Sequence, residues 1–338
     1  MENKLNFFPK VAIIPVTYRC NSKCVMCNIW KDDQKDMEMD HLLNVFDDPL
    51  LAQNIESINL TGGELTLRKD VYDIIKGLLE RCHKLRTVTI NSNGFLPERL
   101  KRLVSNILDL KQYYQFDLYC YLSIDGMSDT HDLVRGVNGS YSKVWDSLNI
   151  LKSLKKEHDF RFSVNFTINR VNYKELYEVY NNLKKMKIKM DFTYGMRSPI
   201  YFQNDELDSL DMDSQLIRDH VADFIAAIKN EGLLTNSLSY YKDLVNMLKG
   251  SERKIGCIFS NSGFFLHPNG DVYRCWIYDK KIGNVYNQSF SQIWTSLLAK
   301  ETEEGILDRC KTCYNNCYAQ FKRIDSINSI ITNGLLSK

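Results

Sequence analysis

The sequence is poor in several things, and each lack removes a class of protein. An excess charge of one sign is missing: 44 basic residues stand against 42 acidic ones, a formal net of +2 over 338 residues. That balance speaks against a broad nucleic-acid or anionic-membrane surface, and short runs such as Lys184-Lys185 read as solvated helix faces. No apolar run approaches membrane-spanning length, and the opening "MENKLNFFPK" lacks the apolar core and cleavage site of a secretory signal. A cytoplasmic chain, with no nucleic-acid or membrane partner, is the expectation. Low-complexity segments and short solenoid-type repeats are also missing.

Cysteine, by contrast, is plentiful, with ten in the chain. Disulfide scaffolds are usually small secreted domains, whereas clustered cysteines in a long cytosolic chain point to metal or redox chemistry. Cys20, Cys24 and Cys27 lie together in "TYRCNSKCVMC"; Cys257, Cys275, Cys310, Cys313 and Cys317 lie in the last quarter; only Cys82 and Cys120 lie between. The length suffices for one extended α/β domain or for two domains.

A strand followed by a helix repeats loosely along the first two hundred residues. Strands are expected at 11–16, 57–61, 87–91, 117–123, 161–167 and 189–194. Helices are expected at 71–82, where Val71, Ile74, Ile75, Leu78, Leu79 and Cys82 mark one face, and at 141–156 and 173–187. This alternation implies parallel strands with right-handed crossovers, and six units suit a partial barrel better than a closed one of eight. The middle strands alternate apolar and polar: Ile58 and Leu60 oppose Asn59 and Thr61, and Phe162, Val164 and Phe166 oppose Ser163, Asn165 and Thr167. With helices on the apolar face, the polar face lines a wet interior suited to polar ligands; a half-exposed antiparallel sheet is the competing reading. Cys120 and Cys82 then fall on packed faces as small core residues. Residues 195–214 read as a long loop at the barrel mouth, helices follow near 213–230 and 239–249, and "GFFLHPNGDVYRCW" reads as a hairpin.

The cysteine triplet follows the first strand, at the edge where parallel α/β folds place their chemistry. Zinc wants four ligands, or three and an open position, and usually recruits histidine; His41, the nearest, is well beyond Cys27. Three thiolates two to four residues apart suit an iron–sulfur cluster with one iron left open.

"CNSKCVMC" resembles the CxxxCxxC loop of radical S-adenosylmethionine (radical SAM) enzymes. Further segments match in that family's order: "TGGELTLRKD" (61–70), "NSNG" (91–94), and "LSIDG" with "LVRG" (122–136). The resemblance implies a partial (β/α)6 barrel in which Gly62, Gly63 and Glu64 meet the SAM amino group. It also places Ser123 and Arg135 at the SAM ribose and carboxylate and Asn165 at the ribose, and Asn93-Gly94 suits a tight turn whose amide can hydrogen-bond a ribose or base. In residue terms, the glycines permit close backbone approach, Glu64 can accept from an ammonium, and Arg135 offers a planar fork to a carboxylate. Met26 and Leu65 stand where family members often carry an aromatic residue and a proline. The implied chemistry is one-electron cleavage of S-adenosyl-L-methionine by a [4Fe–4S] cluster, fed by a flavodoxin- or ferredoxin-type donor. The resulting 5′-deoxyadenosyl radical takes a hydrogen atom from substrate.

The C-terminal cysteines, with "IGNVYNQSFSQIW" and "CKTCYNNC", resemble the SPASM/Twitch extension of the same enzymes. The resemblance implies a second, auxiliary [4Fe–4S] cluster on Cys257, Cys275, Cys310 and Cys313; Cys317 is an alternative ligand or a free thiol able to donate a hydrogen atom. Structural zinc is the competing reading. His267, beside the hairpin turn, reads as structural. The expected organisation is a barrel over 1–210, a helical connector over 211–250 and the auxiliary module over 251–338.

The leading expectation for function is dehydrogenation or epimerisation of a hydroxylated sugar or aminocyclitol. The alternative is modification or crosslinking of a ribosomally made peptide, against which only about ten residues precede the first strand, too few for an N-terminal peptide-binding domain. A noncatalytic iron–sulfur or zinc protein is the reading from another class.

Overall fold

The structure is a computed structural model that describes residues 8–212 and 214–315. Six strands carry the barrel: β1 (Val11–Thr17), β2 (Ser57–Gly62), β3 (Thr87–Ser92), β4 (Asp117–Ser123), β5 (Arg161–Ile168) and β6 (Met190–Tyr194). They pair in parallel in sequence order, with helices between them. The sequence-based strand limits hold to within one residue at each end. Ile58, Leu60, Val88, Ile90, Leu118, Leu122, Val164 and Phe166 enter one core beneath the helices, together with Cys82 and Cys120. The helix Val71–Arg81 buries Val71, Ile74, Ile75, Leu78 and Leu79 against that core, the face its spacing defined.

The sheet does not stop at β1. A further strand, β7 (Gly263–Leu266), pairs with β1 in parallel, Val11 facing Gly263 and Ile13 facing Phe265. The antiparallel strands β8 (Asp271–Tyr273) and β9 (Lys281–Asn284) then extend it, giving the order β6-β5-β4-β3-β2-β1-β7-β8-β9. This explains why β1 is apolar on both faces. Ala12, Ile14 and Val16 join the helix-side core, while Val11 and Ile13 join a second core with Ile258, Phe259, Phe265, Trp276 and Ile306. The hairpin turns at Gly270 (φ +87°), and the Asn269 and Asp271 side chains tie the turn together at 3.1 Å. His267 accepts from Asn269 N there (3.3 Å), a structural role. "SFSQIW" opens a helix, Phe290–Thr295, through a capping box of Ser289 and Gln292, and its Phe290 and Trp294 pack on Phe264. No helix among the described residues is long and apolar enough to cross a membrane.

Candidate active site

The loop after β1 is built by backbone contacts that only small residues allow. A Cβ on Gly62 (φ +126°) would stand 2.2 Å from Thr17 O, and one on Gly63 2.3 Å from Arg19 O. The close approach expected of these glycines is therefore to the chain's own backbone: Gly63 N donates to Thr17 O (2.7 Å) and Glu64 N to Arg19 O (2.9 Å). Both glycines also line the cavity at the barrel mouth. On the other side, Lys23 N and Val25 N each donate at 2.9 Å to the carbonyls of Arg135 and Val134, at the end of helix Ser128–Arg135. The triplet loop is thus clamped between the β2 turn and the β4 crossover.

Cys20, Cys24 and Cys27 line one cavity of about 240 Å³, together with Gly62, Gly63, Asn93, Ser123, Arg135 and Asn165. Ser123 and Asn165 are register partners on β4 and β5. Below them the wall is neutral and polar: Asn59, Thr61, Asn91, Tyr121, Thr167 and Thr193. The alternation along the strands anticipated this face.

Three expectations need correction. The Glu64 carboxylate does not face the cavity. It is fully buried, and accepts from Thr66 N (3.1 Å), Thr66 Oγ1 (2.6 Å), Ser92 Oγ (2.9 Å) and Asn93 N (2.7 Å). It joins β2 to β3 and has no surface left for an ammonium group. The turn amides after β3 are also used internally, Asn93 N by Glu64 and Gly94 N by Ser92 Oγ (3.0 Å), and the Asn93 side chain, which lines the cavity, donates to Asn21 Oδ1 (2.7 Å) and accepts from Phe95 N (3.0 Å). Arg135, finally, is not a free fork: it pairs with buried Asp125 (2.5 Å) and directs Nη1 at Cys24 Sγ (3.6 Å).

Residues beyond the reach of motif reading close the site from above. The loop after β6 crosses the mouth and holds the cysteine loop: Asn204 Nδ2 donates to Met26 O (2.9 Å), Ser209 Oγ to Val25 O (2.7 Å), and Asn28 N to Phe202 O (2.9 Å). Tyr201 is buried over the second strand, its hydroxyl bonded to Thr61 Oγ1 (2.8 Å) and Gly62 N (3.0 Å). In the sequence this strap shows only as the long loop 195–214.

Cys257, Cys275, Cys310 and Cys313 line a second cavity of about 120 Å³. Met196, Trp276 and Asn315 are walls of both cavities. Cys317 lies outside the described residues.

Both thiol sets suit iron–sulfur clusters, since each consists of cysteines alone and lines one cavity. Cys257 and Cys310 stand in hydrogen-bonding contact with each other. Burial pushes Cys20 up to about 12 and Cys27 well above its ordinary value, so a bound cation is what would make them thiolates. Arg135 keeps a buried Nε with no hydrogen-bond partner beside the same cavity, a donor suited to an anionic group.

A partial parallel barrel with a cysteine loop after its first strand, strapped to a second thiol-lined module, defines a class of cluster-bearing enzymes. The sequence profile of the radical SAM superfamily matches residues 14–183, half of the chain, and that of the SPASM iron–sulfur cluster-binding domain matches 257–318. The chain belongs to the radical SAM superfamily. Accordingly it uses S-adenosyl-L-methionine with a [4Fe–4S] cluster, and its SPASM domain carries an auxiliary iron–sulfur cluster. The chain is 25% identical to the Fe-coproporphyrin III synthase of Methanosarcina barkeri, over 90% of this chain and 80% of that protein. It is 21% identical to the antilisterial bacteriocin subtilosin biosynthesis protein AlbA of Bacillus subtilis, over 86% of this chain, and spans only 60% of that protein's length. Among solved structures, anSMEcpe with bound AdoMet and a peptide superposes with a TM-score of 0.63 at 19% identity, covering 87% of this chain and 82% of that one. SuiB of Streptococcus suis bound to S-adenosylmethionine gives 0.62 at 15% identity, covering 94% and 75%. These likenesses establish the fold.

Proposed function

We propose that Cys20, Cys24 and Cys27 hold the SAM-binding cluster, that Cys257, Cys275, Cys310 and Cys313 hold the auxiliary one, and that the enzyme oxidises an uncharged polar substrate. The observation that carries this reading is the shared wall: Met196, Trp276 and Asn315 separate two thiol-lined cavities, one of which opens on the polar barrel interior. Bound at these sites, SAM and the two clusters supply hydrogen-atom abstraction and a one-electron acceptor.

The chain's own residues do the rest. Asn59, Asn91, Ser123, Asn165, Thr167 and Thr193 present hydrogen-bonding groups without charge, which suits hydroxyls or amides and disfavours a carboxylate or ammonium at the reacting end. The loop after β6 contributes Tyr201 and Phe202 to the cavity wall, Tyr201 bonded to Thr61 Oγ1. An acceptor on the far side of one wall favours net two-electron oxidation over redox-neutral epimerisation: the substrate loses a hydrogen atom, then an electron and a proton. A hydroxylated small molecule dehydrogenated at a carbinol carbon fits these walls. The second reading, oxidative modification of a peptide, is favoured by two relatives, one a subtilosin biosynthesis protein and the other, SuiB, solved bound to the precursor peptide SuiA.

Anaerobic reconstitution with iron, sulfide, SAM and a strong reductant tests the class. 5′-Deoxyadenosine should form, and the Cys20/Cys24/Cys27→Ala variant should form none and lose about half its iron. Full iron content in that variant would sink the ligand assignment. A precursor-peptide gene beside this one, set against sugar- or aminocyclitol-processing genes, separates the two substrates.

A further inference from the structure

The segments "LSIDG" and "LVRG" behave in the structure as one device. Asp125 stands just beyond β4, fully buried; Arg135 ends the helix Ser128–Arg135, with its side chain 9% exposed. Their ion pair measures 2.5 Å. The remaining Asp125 oxygen accepts from Thr167 N (2.7 Å), and Asp125 N donates to His131 Nδ1 (3.2 Å), so the carboxylate is fixed to β5 and the backbone of Asp125 to the helix Ser128–Arg135. Arg135 in turn aims Nη1 at Cys24 Sγ, at 3.6 Å. Ser22 Oγ lies 3.1 Å from the same sulfur and donates to Arg135 O (2.9 Å). Cys24 is thereby distinguished from its two neighbours: it meets a guanidinium and a hydroxyl. A guanidinium keeps its charge in proteins, so the cation persists in the site.

We propose that Arg135, positioned by Asp125, sets the reduction potential of the cluster held by Cys20, Cys24 and Cys27 through its charged N–H contact with Cys24. This rests on the assignment of that cluster to those cysteines. Hydrogen bonds to the sulfurs and net local charge are what move cluster potentials, and a cation beside a ligating thiolate favours the reduced form. The effect is large where water is excluded, as it is around a pair this buried. Arg135 remains a wall of the SAM cavity; its action on the cluster does not require SAM.

The test is a redox titration followed by electron paramagnetic resonance on reconstituted full-length protein without SAM. The signal of this cluster is the one missing from the Cys20/Cys24/Cys27→Ala variant; if that variant loses neither signal nor iron, the cluster assignment fails on its own account, before Arg135 is considered. Arg135→Gln should keep its iron and titrate at a more negative potential, with Arg135→Lys between it and the wild type. An unchanged potential in Arg135→Gln at full iron content overturns the proposal. Asp125→Ala should move the potential the same way, because the guanidinium is released from Cys24. A positive shift, as expected from losing a nearby negative charge alone, overturns the positioning role. Should an unpaired Arg135 keep Asp125→Ala from folding, Arg135→Gln/Asp125→Asn buries no charge and must still titrate negative of the wild type, a wild-type value counting against the proposal.

Discussion

Glu64 and His131 are buried titratable residues whose hydrogen bonds suit the proton-free form of each, the carboxylate charged and the ring neutral. Glu64 meets donors alone, four of them, on its two oxygens. Glu64→Gln turns an NH2 group against some of those donors whichever way the amide is set, and leaves buried groups unpaired at roughly 1–3 kcal/mol. Urea unfolding should therefore show a loss of that size, whereas a carboxylate that merely waited for a ligand would leave the midpoint in place. His131 is fully buried and accepts at Nδ1 from Asp125 N, which requires the neutral ring. Burial, helped by Arg135, lowers its pKa from 6.5 to about 3. The folded state thus refuses a proton that the unfolded chain takes up below 6.5. The stability is complete above that pH and is lost as pH falls toward 3, by about 1.4 kcal/mol between pH 7.5 and 5.5 from this group. Comparing urea midpoints of the wild type and His131→Phe at the two pH values isolates the contribution; equal losses in both proteins would refute it.

At the scale of elements, the cysteine loop is held by parts that the sequence discloses very unequally. The barrel strands were legible because one side of each meets helices and the other a wet interior, which imposes a period of two; Asn59, Asn91 and Asn165 follow from that period. Motif spacing disclosed the thiols and the glycines but misassigned Glu64, since a carboxylate buried under donors and one awaiting an ammonium read alike. The strap after β6 was legible only as a loop, because irregular backbone has no period and Asn204 acts through a carbonyl 178 residues away. Two substitutions test this clamp from its two sides. At Gly136 (φ +66°) a Cβ would sit 2.3 Å from Lys23 O, a backbone atom with no room to yield. Gly136→Ala should push the loop out of place and lower iron at the triplet while the auxiliary cluster stays loaded, measured as iron per chain. Asn204→Ala removes donors to Met26 O and Met196 O and the acceptor for Ser198 N. Amides of residues 24–28 should then exchange with solvent about tenfold faster or more, as a loss of roughly 1.5–3 kcal/mol in local stability implies; unchanged exchange would remove the strap from the account.

At the scale of the whole molecule, the nine strands of the described residues form one sheet, and this was the least legible feature. A parallel partner some 250 positions along the chain leaves no local mark, so β1 and β7 looked like parts of separate modules. Their pairing has a consequence for how the chain can be divided. β1 is hydrogen-bonded on both edges, to β2 and to β7, and buried on both faces. A variant ending at residue 250 keeps all six barrel strands but strips β1 of one edge, leaving unpaired amides and carbonyls along a flat apolar strand, a template for association. It also uncovers Val11, Ile13, Tyr18, Ile29 and Tyr201, whose packing partners Ile258, Phe259, Phe265 and Trp276 are gone. At about 1.5–3 kcal/mol for each large apolar side chain returned to water, five such residues represent a loss comparable to the whole stability of an ordinary domain, roughly 5–15 kcal/mol. The truncated chain should therefore aggregate, or elute as large oligomers on size exclusion, and fail to hold the triplet cluster although Cys20, Cys24 and Cys27 are all present. A soluble monomer with native far-ultraviolet circular dichroism and four irons would mean that the barrel stands alone and that the SPASM module is an accessory; aggregation that the added module reverses when co-expressed as a separate chain would mean that the two halves complete each other through the β1–β7 seam.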